Sequence, residues 1–288
     1  MTSNIEFADR VKLMWAKQCC GLYAVLSRNV LREVAAYLLD RCLLVYITGN
    51  HALMQFNCKT HSSVQLYTFT QFTRSDFEGF TLIDNNHLVR CGGLDNPQGA
   101  FLLDIRASTL VELPSLTTPR SYSPGLAHLG SKVYAFGGLG TTDTSDLAKT
   151  GEALQEGGKW EQLEGLMSNT RVYFCPCVFQ DRIYLSGGGV CMEVDMCTEH
   201  LITPLHLTLP DSDCVAVVHS EQLLFLSQHC TVVLGGATLH HQEGRFRLTT
   251  KAAPVLCADR VYFTDGATIK NVQLSNSLDI ITGQPVLV

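Results

Sequence analysis

Residues 172–188 read VYFCPCVF, then QDR, then IYLSGG. Two runs rich in β-branched and aromatic residues, joined by a short polar turn, make a β-hairpin. The second run is apolar throughout instead of alternating, as befits a strand covered on both faces. The glycine pair ending it permits positive φ and close approach of a neighbouring backbone. The same unit stands at 123–138 as SPGLAHL–GSK–VYAFGG and at 78–93 as EGFTLI–DNN–HLVRCGG. It returns in eroded form at 213–228 (DCVAVV–HSEQ–LLFLSQ) and at 253–266 (APVLC–ADR–VYFTDG). With an earlier copy included, the second runs begin at Val45, Leu88, Val133, Ile183, Leu223 and Val261, in steps of 43, 45, 50, 40 and 38 residues. A β-type repeat near 45 residues is the mark of a radial architecture, so an all-β, six-bladed β-propeller is expected.

Each hairpin should be followed by two further strands. They are expected at 101–105 and 109–113, at 147–152 and 160–163, at 192–195 and 201–205, at 231–234 and 246–249, and at 269–274 and 278–281. The first blade starts at Leu43 and lacks an innermost strand. The C-terminal residues 284–288, QPVLV, resemble the innermost strand at 253–257, APVLC. They are expected to supply the missing strand and close the ring, covering sheet edges that would otherwise template aggregation. Residues 1–41 differ from the rest, with Gly21 as their single glycine and no proline. Phe7, Val11, Trp15, Leu22 and Leu26, then Leu31, Val34, Ala35 and Leu38, recur at helical spacing. The organisation expected is a short N-terminal helical segment, 1–41, and a propeller, 42–288.

Composition narrows the function. The chain has 288 residues, a formal net charge of −6 and 17% charged residues, with no Lys/Arg cluster, so a nucleic-acid partner is not expected. No apolar stretch reaches the ~18 residues that cross a bilayer, and the N-terminus carries Glu6 and Asp9 where a signal peptide would be apolar. The twelve cysteines fall mostly inside apolar runs, as Cys91, Cys214 and Cys257 do. Cys175 and Cys177 share one strand face without a C-x-x-C partner, so neither a zinc site nor a disulfide framework is implied. This usage suits a reducing compartment, hence a cytoplasmic protein. No nucleophile elbow, zinc-protease or phosphate-loop motif is present, and no cofactor or metal is expected. The histidine pair His240-His241 reads as part of a solvated turn in the fifth blade.

These residues resemble the kelch repeat. One nearly complete copy runs Val133-Tyr134-Ala135-Phe136-Gly137-Gly138, then Trp160, Leu163, Met167 and Arg171, then Ile183-Tyr184-Leu185-Ser186-Gly187-Gly188. The copy before it keeps Gly92, Gly93, Leu113, Pro114, Pro119 and Arg120, with Leu110 in place of the tryptophan. The resemblance implies that Tyr134, Tyr184, Trp160, Arg120 and Arg171 hold blades together. A buried guanidinium needs partners, so backbone carbonyls are expected around these arginines. It also implies that the loops after each second strand and those between blades gather on one rim. Asn50, His51, Asp95, Asn96, Asp143, His229 and Asp265 belong to the first set, and Arg74 and Lys251 to the second. Such a mixture of acidic, amide and hydroxyl groups suits a protein or peptide partner.

A second, shorter resemblance links residues 26–38, LSRNVLREVAAYL, to the opening of an F-box. Three readings of function follow. The chain is a non-enzymatic interaction module or scaffold, cytoplasmic and in one version cytoskeleton-associated. It is a substrate receptor that joins a ubiquitin ligase, or another larger assembly, through its N-terminal helices. Or, as in some kelch-like propellers, it is an enzyme for a small molecule or sugar in the central channel.

Overall fold

The computed structural model describes residues 43–286 apart from 48–51, 59, 71–77, 85, 123, 139–149, 156, 164–174, 188–189, 196–199, 206–213, 220–221, 228–229, 234–237, 241–254, 258–259, 265–268 and 275–279. The chain divides into two units, Met1–Arg41 and Cys42–Val288, and every described residue belongs to the second. The expected N-terminal helices and the F-box-like stretch therefore lie outside the described residues.

The described residues are all-β and contain no helix; they form six antiparallel sheets. The first sheet has three strands, β1 (Leu43–Ile47), β2 (Ala52–Asn57) and β3 (Ser62–Thr68). The second holds β4 (Gly79–Leu82), β5 (His87–Cys91), β6 (Ala100–Asp104) and β7 (Thr109–Glu112). The third holds β8 (Gly125–Leu129), β9 (Lys132–Phe136), β10 (Gly151–Gln155) and β11 (Trp160–Gln162). The fourth holds β12 (Cys175–Phe179), β13 (Arg182–Gly187), β14 (Val190–Asp195) and β15 (His200–Leu205). The fifth holds β16 (Cys214–His219), β17 (Gln222–Ser227), β18 (Cys230–Val233) and β19 (Thr238–His240). The sixth holds β20 (Val255–Cys257), β21 (Arg260–Thr264), β22 (Ile269–Leu274) and β23 (Ile280–Val286). Strands consecutive in sequence are neighbours in every sheet, so each is a simple meander.

The repeat read from the sequence is a repeat of register. Leu88 pairs with Leu82, Val133 with His128, Ile183 with Val178, Leu223 with Val218 and Val261 with Leu256. The turn at Gln180-Asp181 has φ of 49° and 57°. Positive φ at both central residues is the type I′ geometry, whose twist matches that of the strands it joins.

The continuously apolar second runs are buried, as expected. Leu88 to Cys91, Val133 to Phe136, Ile183 to Ser186 and Leu223 to Leu226 are all withdrawn from solvent. They supply the layers between sheets. Leu53 and Phe69 of the first sheet and its exit pack on Leu88 and Leu103 of the second. Val89, Cys91 and Ala100 of the second pack with Leu126, Ala135, Leu154 and Trp160 of the third. Tyr134, Phe136 and Ala153 of the third pack with Ile183, Leu185 and Val194 of the fourth. The first strands also touch in series, β4 on β8, β8 on β12, β12 on β16 and β16 on β20. At the other end of the chain β21 lies against β1. There Tyr262 Oη is 3.2 Å from His61 Nε2, and its ring is 6.1 Å from that of Phe56.

Three expectations need correction. The C-terminal residues do not complete the first sheet: Gln284, Pro285 and Val286 pair with Asn271, Lys270 and Ile269 of β22. A hairpin partner a few residues away is reached at far lower loop-closure cost than an edge more than two hundred residues back. The fourth strand of the fifth sheet is 238–240 instead of 246–249, which lies outside the described residues. His240 accordingly pairs with Cys230 in a strand and is not a turn residue. The third strand of the third sheet is Gly151–Gln155, later than 147–152, because its turn closes where Gly158 N donates to Gln155 O at 2.9 Å.

Candidate functional site

Of the nine rim residues expected from the sequence, Asp95 and Asn96 are described. Asn50, His51, Arg74, Asp143, His229, Lys251 and Asp265 lie outside the described residues, as does Arg171. Asp95 and Asn96 sit in the loop between β5 and β6, and both are exposed. That loop is tied down from several sides. Gly92 N donates to Gly99 O (2.9 Å) and Gly99 N to Asn96 O (3.0 Å), closing the loop on itself. The segment leading into the third sheet then staples it. Arg120 N donates to Pro97 O (2.7 Å), Leu116 N to Gln98 O (2.9 Å) and Gly93 N to Arg120 O (2.9 Å). The Gln98 side chain returns a bond from Nε2 to Leu116 O at 3.1 Å.

The glycine pair is required for this junction. Gly92 and Gly93 have φ of 72° and 99°. A Cβ on Gly92 would stand 2.4 Å from Arg120 O, and one on Gly93 would stand 2.5 Å from Glu78 Cγ. Gly137 and Gly138 repeat the positive φ in the third sheet, at 63° and 84°.

The second and third sheets each hold a buried ion pair. In the third sheet the arginine comes from the entry segment and the acid from the third strand. Arg120 is fully buried and pairs with fully buried Glu152 at 2.8 Å. Its other donors reach Gly137 O, Thr150 O (3.2 Å) and Thr150 Oγ1 (3.2 Å). Glu152 in turn accepts from Thr117 N (2.6 Å), Thr117 Oγ1 (2.6 Å) and Thr118 N (3.2 Å). Burial pulls the Arg120 pKa below the ordinary arginine value, and Glu152 limits the fall. The backbone carbonyls expected around Arg120 are thus present.

In the second sheet the roles are exchanged. Glu78, just before β4, pairs with Arg90 of β5, whose guanidinium also stands 4.8 Å over the Phe69 ring. Burial lowers the Arg90 pKa to about 9, while exposed Asp95 acts in the opposite direction. Arg90 therefore remains a cation at neutral pH, coupled electrostatically to Asp95.

The aromatic residues expected to hold the fold are buried: Trp160, Tyr134 and Tyr184. Tyr134 stacks on Phe136 with centroids 6.2 Å apart. Sequence reasoning missed Glu78, Arg90 and Glu152. A signal existed, because a lone charge inside an apolar strand, as in LVRCG or GEAL, implies a buried partner. Two of the described thiols are poor nucleophiles: burial pushes Cys177 up to about 12 and Cys91 higher still. No group of three or more metal-ligating side chains occurs among the described residues. No helix among them is long and apolar enough to cross a membrane. No protein-family model matches the chain, and no curated protein matches it in sequence.

Proposed function

We propose that the six sheets are the blades of a kelch-type β-propeller and that the protein is a non-enzymatic interaction module. It takes a protein or peptide partner on the loop rim to which Asp95 and Asn96 belong. The serial packing of the first strands and the Tyr262–Phe56–His61 contact between last and first sheets support the ring. The observation that carries the binding reading is the stapled 92–99 loop. Backbone groups of Gly92, Gly93, Asn96, Pro97, Gln98 and Gly99 are hydrogen-bonded within the junction, while Asp95 and Asn96 are exposed. Ordering costs are then met before a partner arrives, which favours affinity. A cytoplasmic setting accords with Cys91 and Cys177, neither of which forms a disulfide.

The test is affinity purification with mass spectrometry, comparing the native chain with Asp95→Ala/Asn96→Ala. Exposed substitutions of this kind should leave the melting temperature within a degree or two. The expected result is selective loss of one dominant partner from the double variant. An unchanged set of partners would refute the rim assignment, and recovery of ubiquitin-ligase adaptors alone would favour the receptor reading.

A further inference from the structure

Three polar side chains meet at one end of the second sheet, where the turn between β4 and β5 lies beside the end of β6. His87 opens β5 and is the register partner of Asp104, the last residue of β6. Side chains of residues paired in this way stand on the same face of a sheet. His87 Nδ1 is 2.9 Å from Asp84 Oδ2 in the turn, and His87 Nε2 is 3.8 Å from Asp104 Oδ2. One imidazole thus stands between two carboxylates that belong to different turns. Among the described residues, these two are the charged groups that act on the ring.

Each carboxylate also organises its own turn. Asp84 Oδ1 accepts from Asn86 N (2.7 Å) and His87 N (2.8 Å), and Asp104 Oδ1 accepts from Ala107 N (2.8 Å). A backbone bond joins the two turns next to the ring, from Ile105 N to Asn86 O at 2.7 Å. The protonation state of the ring decides what else it holds. An imidazolium donates from both nitrogens, whereas a neutral imidazole has one N–H and one lone pair. An ionised carboxylate only accepts, so Asp84 keeps the proton of the neutral ring on Nδ1. Nε2 then turns a lone pair toward Asp104, a second acceptor, and that tie is lost.

We propose that His87 is a proton-operated latch between the β4–β5 and β6–β7 turns, closed on both carboxylates as the imidazolium and released from Asp104 as the neutral ring. The hydrogen bond to Asp84 raises the His87 pKa against a smaller opposing effect of burial, and the charges of Asp84 and Asp104 add to the rise. The latch is therefore closed below the ordinary histidine value and opens as pH climbs through the raised one. β5 and β6 run from these turns to the 92–99 loop, so the device acts at the opposite end of the sheet from Asp95 and Asn96. It lies wholly within the second sheet and does not depend on the rim reading.

The experiment follows amide exchange of the full chain by NMR at about pH 5.5 and about pH 8.5, either side of the ordinary histidine value. Protection of the Ile105 amide, corrected for the intrinsic pH dependence of exchange, is compared with that of Gly158, whose amide closes a turn of the third sheet on Gln155 O. Relative to Gly158, Ile105 should be about 1.5- to 5-fold better protected at the lower pH, the span that an exposed ion pair supports. Asp104→Asn keeps an acceptor for Ala107 N but removes the charge, so this gain should vanish and the His87 pKa should fall. Nitrogen-15 shifts of the native chain should place the proton of neutral His87 on Nδ1. A neutral ring protonated on Nε2 would overturn the latch, since the Asp104 contact would then persist at every pH. So would the absence of any gain in the native chain, or an equal gain in Asp104→Asn.

Discussion

Replacing Arg120 by methionine isolates the best-defined interaction in the fold. The guanidinium is fully buried and meets Glu152, two backbone carbonyls and the Thr150 hydroxyl. The substitution leaves Glu152 buried with only Thr117 and Thr118 as donors. Breaking one partner of a buried pair costs about 3–5 kcal/mol, because the remaining charge has lost its counter-ion. For a unit of this size, that corresponds to a fall in Tm of about 6–20 °C. Urea denaturation followed by tryptophan fluorescence reads the change locally, since Trp160 is buried in the same interface between second and third sheets. Adding Glu152→Gln to Arg120→Met removes the stranded charge yet keeps an acceptor for the threonine amides. The double variant should recover much of the loss, giving a coupling energy above about 1 kcal/mol. A single variant that loses less than about 1 kcal/mol, or a double variant that is simply additive, would refute the role assigned to this pair.

Three further outcomes are expected. His87 Nδ1–H donates to the Asp84 carboxylate at 2.9 Å, and that bond raises the His87 pKa above the ordinary value. For Asp84, burial pushes upward, but the amides of Asn86 and His87 and the His87 ring outweigh it and hold the carboxyl low. The His87 contribution to stability is therefore complete below the ordinary histidine pKa and fades as pH rises through the raised value. The Asp84 contribution is complete above the ordinary carboxylate pKa and fades as pH falls through the lowered one. An NMR titration of Asp84→Asn should show the His87 pKa returning toward normal; no movement would contradict the pairing. Asp181→Gly relieves a positive φ of 57° in a solvent-facing turn and should raise stability by about 0.5–1 kcal/mol in chemical denaturation, with a loss counting against the type I′ geometry. Tyr262→Ala removes a buried ring at the contact between sixth and first sheets and should cost about 3–5 kcal/mol. Faster amide exchange should appear in both 52–57 and 260–264; an effect confined to 260–264 would mean that the first and last sheets do not support each other.

Much of the strand pattern was legible because burial on both faces writes a continuous apolar run. The run beginning at Ile183 needed only its own residues and a polar turn to be read as the second arm of a hairpin. The outer strands were harder. β19 has only three residues, and β10 is buried but begins and ends where its turn and its partners dictate, which local composition records weakly. The likeness of QPVLV to APVLC was real as a strand signal yet silent about pairing, because any uncharged extended segment can dock on more than one edge.

The amino-acid sequence by itself determined the β-class, the number of repeats and the common hairpin register, since each follows from local periodicity and turn chemistry. The tertiary structure alone decided which edge the last strand covers and which charges meet. Arg120 and Glu152 are thirty-two positions apart, and Glu78 finds Arg90 only after two strands fold back on each other. Charge pairing and edge pairing depend on distances between elements, and those distances exist only once the sheets have packed.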